Sequence, residues 1–174
     1  IKMKKKILVT GGLGILGSAL IKMLSENKNY HIYLLDHKKN KYRLEKTNFQ
    51  KKITFIGGDF TKYKIIKSIL TKNNFSTIFH LGAITQVIDA YKSPIKTYDT
   101  NINGTINILE AIRQINRKIN FIYASSDKAY GDLINKSYKE NHQLKGNFPY
   151  DVSKSASDLI AQSYSKTYGL IVGI

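Results

Sequence analysis

The sequence has no cysteine, which excludes disulfides and thiolate metal ligands and leaves the redox compartment unspecified. Arginine is nearly as scarce. Arg43, Arg113 and Arg117 stand alone in a chain of formal charge +16, whose other basic residues are lysines spread from end to end. Arginine does most base-edge and bidentate phosphate reading, and no basic stripe here alternates with stacking aromatics. The charge therefore does not indicate a nucleic-acid partner; it implies an attractive field for anionic small molecules. No apolar run reaches the length of a membrane span. The basic start and apolar run of KMKKKILVTGGLGILGSALI have the outline of a secretory signal, but glycines in fixed register and a continuing helical pattern replace a cleavage site. It reads as strand, turn and helix, and the protein is expected in the cytoplasm, with no membrane partner and no metal. Internal repeats, low-complexity tracts and linkers are also absent, so residues 1–174 are expected to form one domain.

What the sequence does contain is a regular alternation of element types. Short apolar runs at 5–10, 31–36, 52–57, 76–82 and 119–125 read as strands, with a sixth in GLIVGI at the end. Between them, 14–26, 61–73, a long stretch opened by Pro94 and 150–168 carry apolar residues at helical spacing. Two-sided apolar strands alternating with helices predict an α/β fold: a doubly wound parallel sheet with helices on both faces. The long irregular stretch 131–149 is of a length that is usually functional.

TGGLGILG (10–17) follows the first strand and opens the first helix. Gly11 permits the tight turn, Gly14 lets the backbone approach a pyrophosphate, and Gly17 allows close helix–strand packing; the helix N-terminus, at Ile15 and Leu16, offers N–H groups to the anion. Asp36 ends the second strand nineteen residues past Gly17, where an acid accepts from the adenosine ribose and favours NAD over NADP. Lys38 and Lys39 close by weaken that preference. Asp59, with Phe60, stands at the third strand end, where it could meet the adenine edge or serve the start of the next helix; the sequence leaves both open. Leu81, Gly82 and Ala83 leave small space for a cofactor to pass the fourth strand, while His80 beside them reads as structural. Tyr150 and Lys154 share one helical face at i, i+4 spacing. A lysine ammonium and a helix N-terminus beside a phenol favour the phenolate, as a tyrosine proton acceptor requires. The Tyr-x-x-x-Lys pattern alone is common by chance; it gains weight from Ser125 and Ser126 at the preceding strand end.

Taken together, TGGLGILG, Asp36, GGDF (57–60), HLGA (80–83), TNINGTINILEA (100–111), SSDKAYG (125–131) and PYDVSK (149–154) resemble the extended short-chain dehydrogenase/reductases, of the NAD-dependent epimerase/dehydratase family. The resemblance implies NAD as a catalytic cofactor, oxidised and re-reduced within a turnover, and a nucleotide-sugar substrate. Ser126-Asp127-Lys128 occupies the place of the acidic pair of 4,6-dehydratases and is most similar to the CDP-glucose 4,6-dehydratase branch, a group linked to polysaccharide biosynthesis. By that resemblance Tyr150, with Lys154 and Ser126, takes the 4-hydroxyl proton, and Asp127 protonates the leaving 6-hydroxyl. Lys128 stands where a glutamate usually removes the C5 proton, and would do so only with its pKa depressed. The resemblance also implies a homodimer through the helices near 95–115 and 150–168. A nucleotide-sugar 4-epimerase and a non-catalytic NAD-binding fragment are the alternative readings. Ending on an apolar strand, and starting with Ile-Lys before Met3, the chain is expected to be the N-terminal part of a longer enzyme whose substrate domain follows.

Overall fold

The computed structural model describes residues 4–37, 53–132 and 137–174. Lys38, Lys39 and Arg43 lie outside these residues, as does part of the 131–149 stretch. Six parallel strands, β1 (Lys5–Thr10), β2 (Tyr30–Asp36), β3 (Ile53–Gly57), β4 (Phe75–His80), β5 (Asn120–Tyr123) and β6 (Ile171–Gly173), lie in the order β3-β2-β1-β4-β5-β6. The chain moves from β1 outward to β3, then returns to β4 on the other side of β1 and continues outward. The reversal leaves a crevice at the strand C-termini between β1 and β4, the usual ligand position in such sheets.

Apolar residues on both sides of each central strand explain the layers. Leu8 of β1 packs into one core with Ile66 and Leu70 of α2 (Tyr63–Lys72), Ile108, Leu109 and Ile112 of α5 (Gly104–Ile115), and Ala161 of α6 (Pro149–Tyr168). Ile7 and Val9, pointing oppositely, pack with Ile21 of α1 (Ile15–Glu26) on the second face. Fully buried side chains such as Leu8 and Phe121 each contribute about 1.5–3 kcal/mol from burial. Register aligns Thr10 with both Leu35 and His80, and His80 with Tyr123, so four neighbouring strands deliver these residues to the same edge.

The doubly wound fold expected from the sequence is present, with differences in detail. The fourth and fifth strands end two residues early, at His80 and Tyr123, because the chain there turns out into the crevice. A short helix not anticipated from the sequence, α3 (Val87–Lys92), has Ala90 as its one buried residue, so it gives no apolar stripe to read. The long helix opened by Pro94 is α4 (Pro94–Tyr98), a π-helical turn (Asp99–Asn103) and α5. At that turn Asn101 bonds the backbone of Ile84 in both directions and donates to Ser153 Oγ, drawing the helix toward its neighbours.

Candidate functional site

The glycine turn sits at the end of β1. Gly11 has φ +66, and a Cβ there would lie 2.6 Å from the backbone of Gly82, so only glycine lets these two loops touch. Gly17 is buried, and a Cβ on it would come within 2.4 Å of Gly11 O. Beyond the turn, α1 begins without a side-chain cap and without an acid in its first turn. Ile15 and Leu16 stand 87% and 63% exposed in that first turn. Gly14 is exposed beside them. An uncapped helix start of this kind can receive an anion on its backbone N–H groups. Asp36, half-buried at the end of β2, accepts from its neighbour His37 N at 2.8 Å.

Asp59 serves a turn: its Oδ1 accepts from Thr61 N at 2.9 Å, whereas the cap position of α2 falls later, at Lys62. The Phe60 ring points inward, edge-on to His80 at 5.2 Å and against Gly82 and Gly104, and its carbonyl accepts from Asn107 Nδ2 at 3.2 Å. Leu81 N donates to Thr10 O, and Leu81, Gly82 and Ala83 run along the crevice floor.

At the opposite end, the β5 exit is stitched to α6. Lys154 Nζ donates to Ala124 O at 2.7 Å, Ser125 Oγ to Asp158 Oδ2 at 2.8 Å, and Ser155 Oγ to Ala129 O at 2.6 Å. These bonds fix the segment that carries Ser126, Asp127 and Lys128 against the helix that carries Tyr150 and Lys154. Lys154 is buried, with its ammonium 4.9 Å from the Tyr123 ring centroid, and burial lowers its pKa to about 8. Ser126 accepts from Lys128 N, capping the short turn Asp127–Tyr130, and donates to Asp127 Oδ1 at 3.1 Å. Asp127 itself is exposed.

Lys128 requires a correction. A base for C5 was expected to be desolvated, with a depressed pKa. Instead its Nζ lies 3.3 Å from Asp132 Oδ1 with both side chains well exposed, and the partner carboxylate raises its pKa. Lys128 is held as a cation in this conformation.

Sequence reasoning missed Asn101, Ser153, Ser157 and Asp158. Each is buried and hydrogen-bonded; Ser153, Ser157 and Asp158 give α6 a polar inner face, and Asn101 meets it from the π-helical turn. The available signal was composition: a helix reading SKSASD where a core stripe should lie needs polar partners opposite it.

With this geometry in hand, the comparisons with known proteins are specific. The sequence profile described as GDP-mannose 4,6 dehydratase matches residues 8–174. The chain belongs to that family. Among curated relatives, CDP-paratose 2-epimerase of Salmonella typhi is 29% identical across 95% of this chain and 54% of its own length. The dTDP-D-glucose 4,6-dehydratase of Dictyostelium discoideum is 33% identical across 97% of this chain and 42% of its own. Of solved structures, dTDP-glucose 4,6-dehydratase from Bacillus anthracis, in complex with NAD, superposes with a TM-score of 0.83 at 29% identity, covering 97% of this chain and 53% of that one. The UDP-Glc/GlcNAc 4-epimerase of Campylobacter jejuni gives 0.87 at 26% identity, covering 95% and 50%. The chain thus spans about half the length of the family members it matches. Both dehydratases and epimerases of nucleotide sugars are represented among these relatives. No helix among the described residues is long and apolar enough to cross a membrane.

Proposed function

We propose that this chain is the NAD-binding, oxidoreductive half of a nucleotide-sugar 4,6-dehydratase acting on CDP-glucose. The observation that carries the reading is Asp127, between Ser126 and Lys128, at the β5 exit that Lys154 bonds through Ala124 O. The NAD complex of the Bacillus enzyme supports the cofactor, as do the uncapped α1 N-terminus for the pyrophosphate and Asp36 for the ribose. Bound there, NAD would take hydride from the sugar C4 and later return it to C6.

The protein's own groups handle the protons. Tyr150 accepts the 4-hydroxyl proton, with the Lys154 ammonium favouring the resulting phenolate and Ser126 donating to the sugar oxygen. The 4-keto group acidifies C5–H; a base supplied by the remainder of the enzyme takes that proton, and the resulting enolate expels the 6-hydroxyl, to which Asp127 gives its own proton so that it leaves as water and Asp127 becomes the carboxylate. Asp127 is exposed in this chain, and the burial that keeps such an acid protonated is supplied by bound substrate and the remainder of the enzyme. Lys128 is assigned an electrostatic role, stabilising negative charge at the sugar rather than abstracting the C5 proton. A homodimer through α4, α5 and α6 is part of the proposal, supported by exposed Ile95 and Leu159; sedimentation of the full-length enzyme tests it.

A 4-epimerase is the second reading, favoured by the Campylobacter likeness, since the glycine turn, Tyr150 and Lys154 serve both reactions. Incubating the full-length enzyme with CDP-, dTDP- and UDP-glucose separates them. A 4-keto-6-deoxy product formed fastest from CDP-glucose is expected. Inversion at C4 without loss of water would contradict the reading, and preference for another nucleotide would correct the substrate.

A further inference from the structure

His80, read from the sequence as a structural residue, is fully buried. Its surroundings show more. The ring lies among Phe60, Phe121 and Tyr123, with centroids 5.2, 6.0 and 6.0 Å away, and both ring nitrogens are engaged. Nδ1 is 2.7 Å from Thr10 Oγ1, and Nε2 is 3.1 Å from Thr105 Oγ1.

The proton positions follow from the partners. Thr105 donates its hydroxyl proton to Asn101 O at 2.6 Å, so toward His80 it can only accept. Nε2 must then carry the hydrogen, and Nδ1 must be the acceptor. Thr10 accepts from Gly82 N at 3.2 Å and gives its own proton to Nδ1. One directed chain results: Gly82 N–H to Thr10, Thr10 to His80, His80 to Thr105, Thr105 to Asn101 O. Asn101 O also accepts from Ser157 of α6 at 2.9 Å. The imidazolium would leave Thr10 and Nδ1 with two protons and no acceptor between them. Burial and the charge of Lys154 hold the ring neutral, with its pKa lowered to about 3.

The two ends of this chain matter because of where they lie. Gly82 touches the glycine turn at Gly11, and Asn101 shapes the π-helical turn against α6. We propose that His80 is a positioning residue of the NAD site, locked as the Nε2–H tautomer, which fixes the dinucleotide-binding end of the crevice in register with the catalytic helix. It touches neither cofactor nor substrate.

The test uses the full 174-residue chain. Nitrogen-edited NMR of the His80 ring should show one neutral tautomer at pH 7, protonated on Nε2, with a slowly exchanging hydrogen. Thr105→Val keeps the volume and removes the acceptor. It should speed amide exchange at Gly82, which Thr105 does not bond, about fivefold, and weaken NAD binding by a similar factor. Thr105→Ser should restore both. A histidine that only fills space leaves Gly82 exchange and NAD affinity unchanged in Thr105→Val, and that result overturns the proposal. So does an Nδ1–H tautomer or an imidazolium in the unsubstituted chain, a readout that stands even where Thr105→Val does not fold. Failure of the unsubstituted chain to bind NAD counts against the cofactor reading instead, and the ring and exchange measurements still decide this one.

Discussion

At the β1–α1 end of the crevice the chain offers backbone groups, whereas the β5–α6 end is built from side chains bonded to backbone and to one another. The first end is open: α1 starts uncapped and Ile15 and Leu16 stand in solvent. The second is closed: Asp151, Ser153, Lys154, Ser155, Ser157 and Asp158 are all buried in the first half of α6. A pyrophosphate bound to N–H dipoles needs close approach and little else, so glycine and exposure suffice. Proton transfer needs fixed atoms, and a network of satisfied polar groups provides them.

Breaking the closed end should have the larger consequence for chemistry. Tyr150→Phe or Lys154→Met is expected to lower turnover about 10²–10⁴-fold, measured on the full-length enzyme. Lys154→Met should also raise stability at pH 7 by about 1–3 kcal/mol, since a buried ammonium is removed. The sign follows from the lysine pKa, lowered from 10.5 to about 8 in the fold: the cost of its charge is fully present below 8 and relieved above 10.5. Urea unfolding at pH 7 should therefore favour the variant, and the advantage should shrink at alkaline pH. A variant less stable at pH 7 would contradict this.

Breaking the open end should act on binding. Gly17→Ala forces a methyl against Gly11 O and is expected to cost about 1–3 kcal/mol, and to weaken NAD binding measured by calorimetry. The Lys154 titration, followed by NMR, should stay in place, because no bond of the closed end passes through Gly17.

The joint between the ends should be sensitive to acid. With the His80 pKa lowered from 6.5 to about 3, stability is full above 6.5 and falls as pH drops toward 3, at up to about 1.4 kcal/mol per pH unit. His80→Gln should flatten that difference in denaturation curves; an unchanged slope would show that the ring is not buried neutral. The smallest effect is expected far from the crevice. Glu110 pairs with Arg113 and Gln114 on the half-exposed side of α5, and its pKa is lowered to about 2, first by the Arg113 hydrogen bond. Solvent screens such a pair, so Glu110→Gln should cost less than about 1 kcal/mol in thermal unfolding.

The same contrast explains what could be read from the sequence. The open end is written in residues that do one thing: glycines at fixed spacing after an apolar strand, and an acid ending the next. A parallel sheet covered on both faces follows from alternation, whereas the order of its strands does not. The closed end was legible in Tyr150, Lys154 and Asp127, whose types and spacing point to proton chemistry, and illegible where one side chain faces another. Nothing in the spacing of Asn101 and Ser153 announces a bond across 52 residues, and the π-helical turn that permits it has no composition of its own. Lys128 misled for a related reason. Its neighbour in space, Asp132, favours the ammonium further, and that pairing spans the turn at Asp127–Tyr130.

The central claim is that Asp127 turns a shared oxidation at C4 into loss of water. The most direct test is Asp127→Asn in the full-length enzyme, mixed with CDP-glucose while reduced nicotinamide and sugar products are followed together. The expected result is rapid formation of enzyme-bound NADH with 4-keto-6-deoxy product slowed about 10²-fold or more. Dehydration at the unsubstituted rate, or a C4 epimer as the main product of the unsubstituted enzyme, would contradict it.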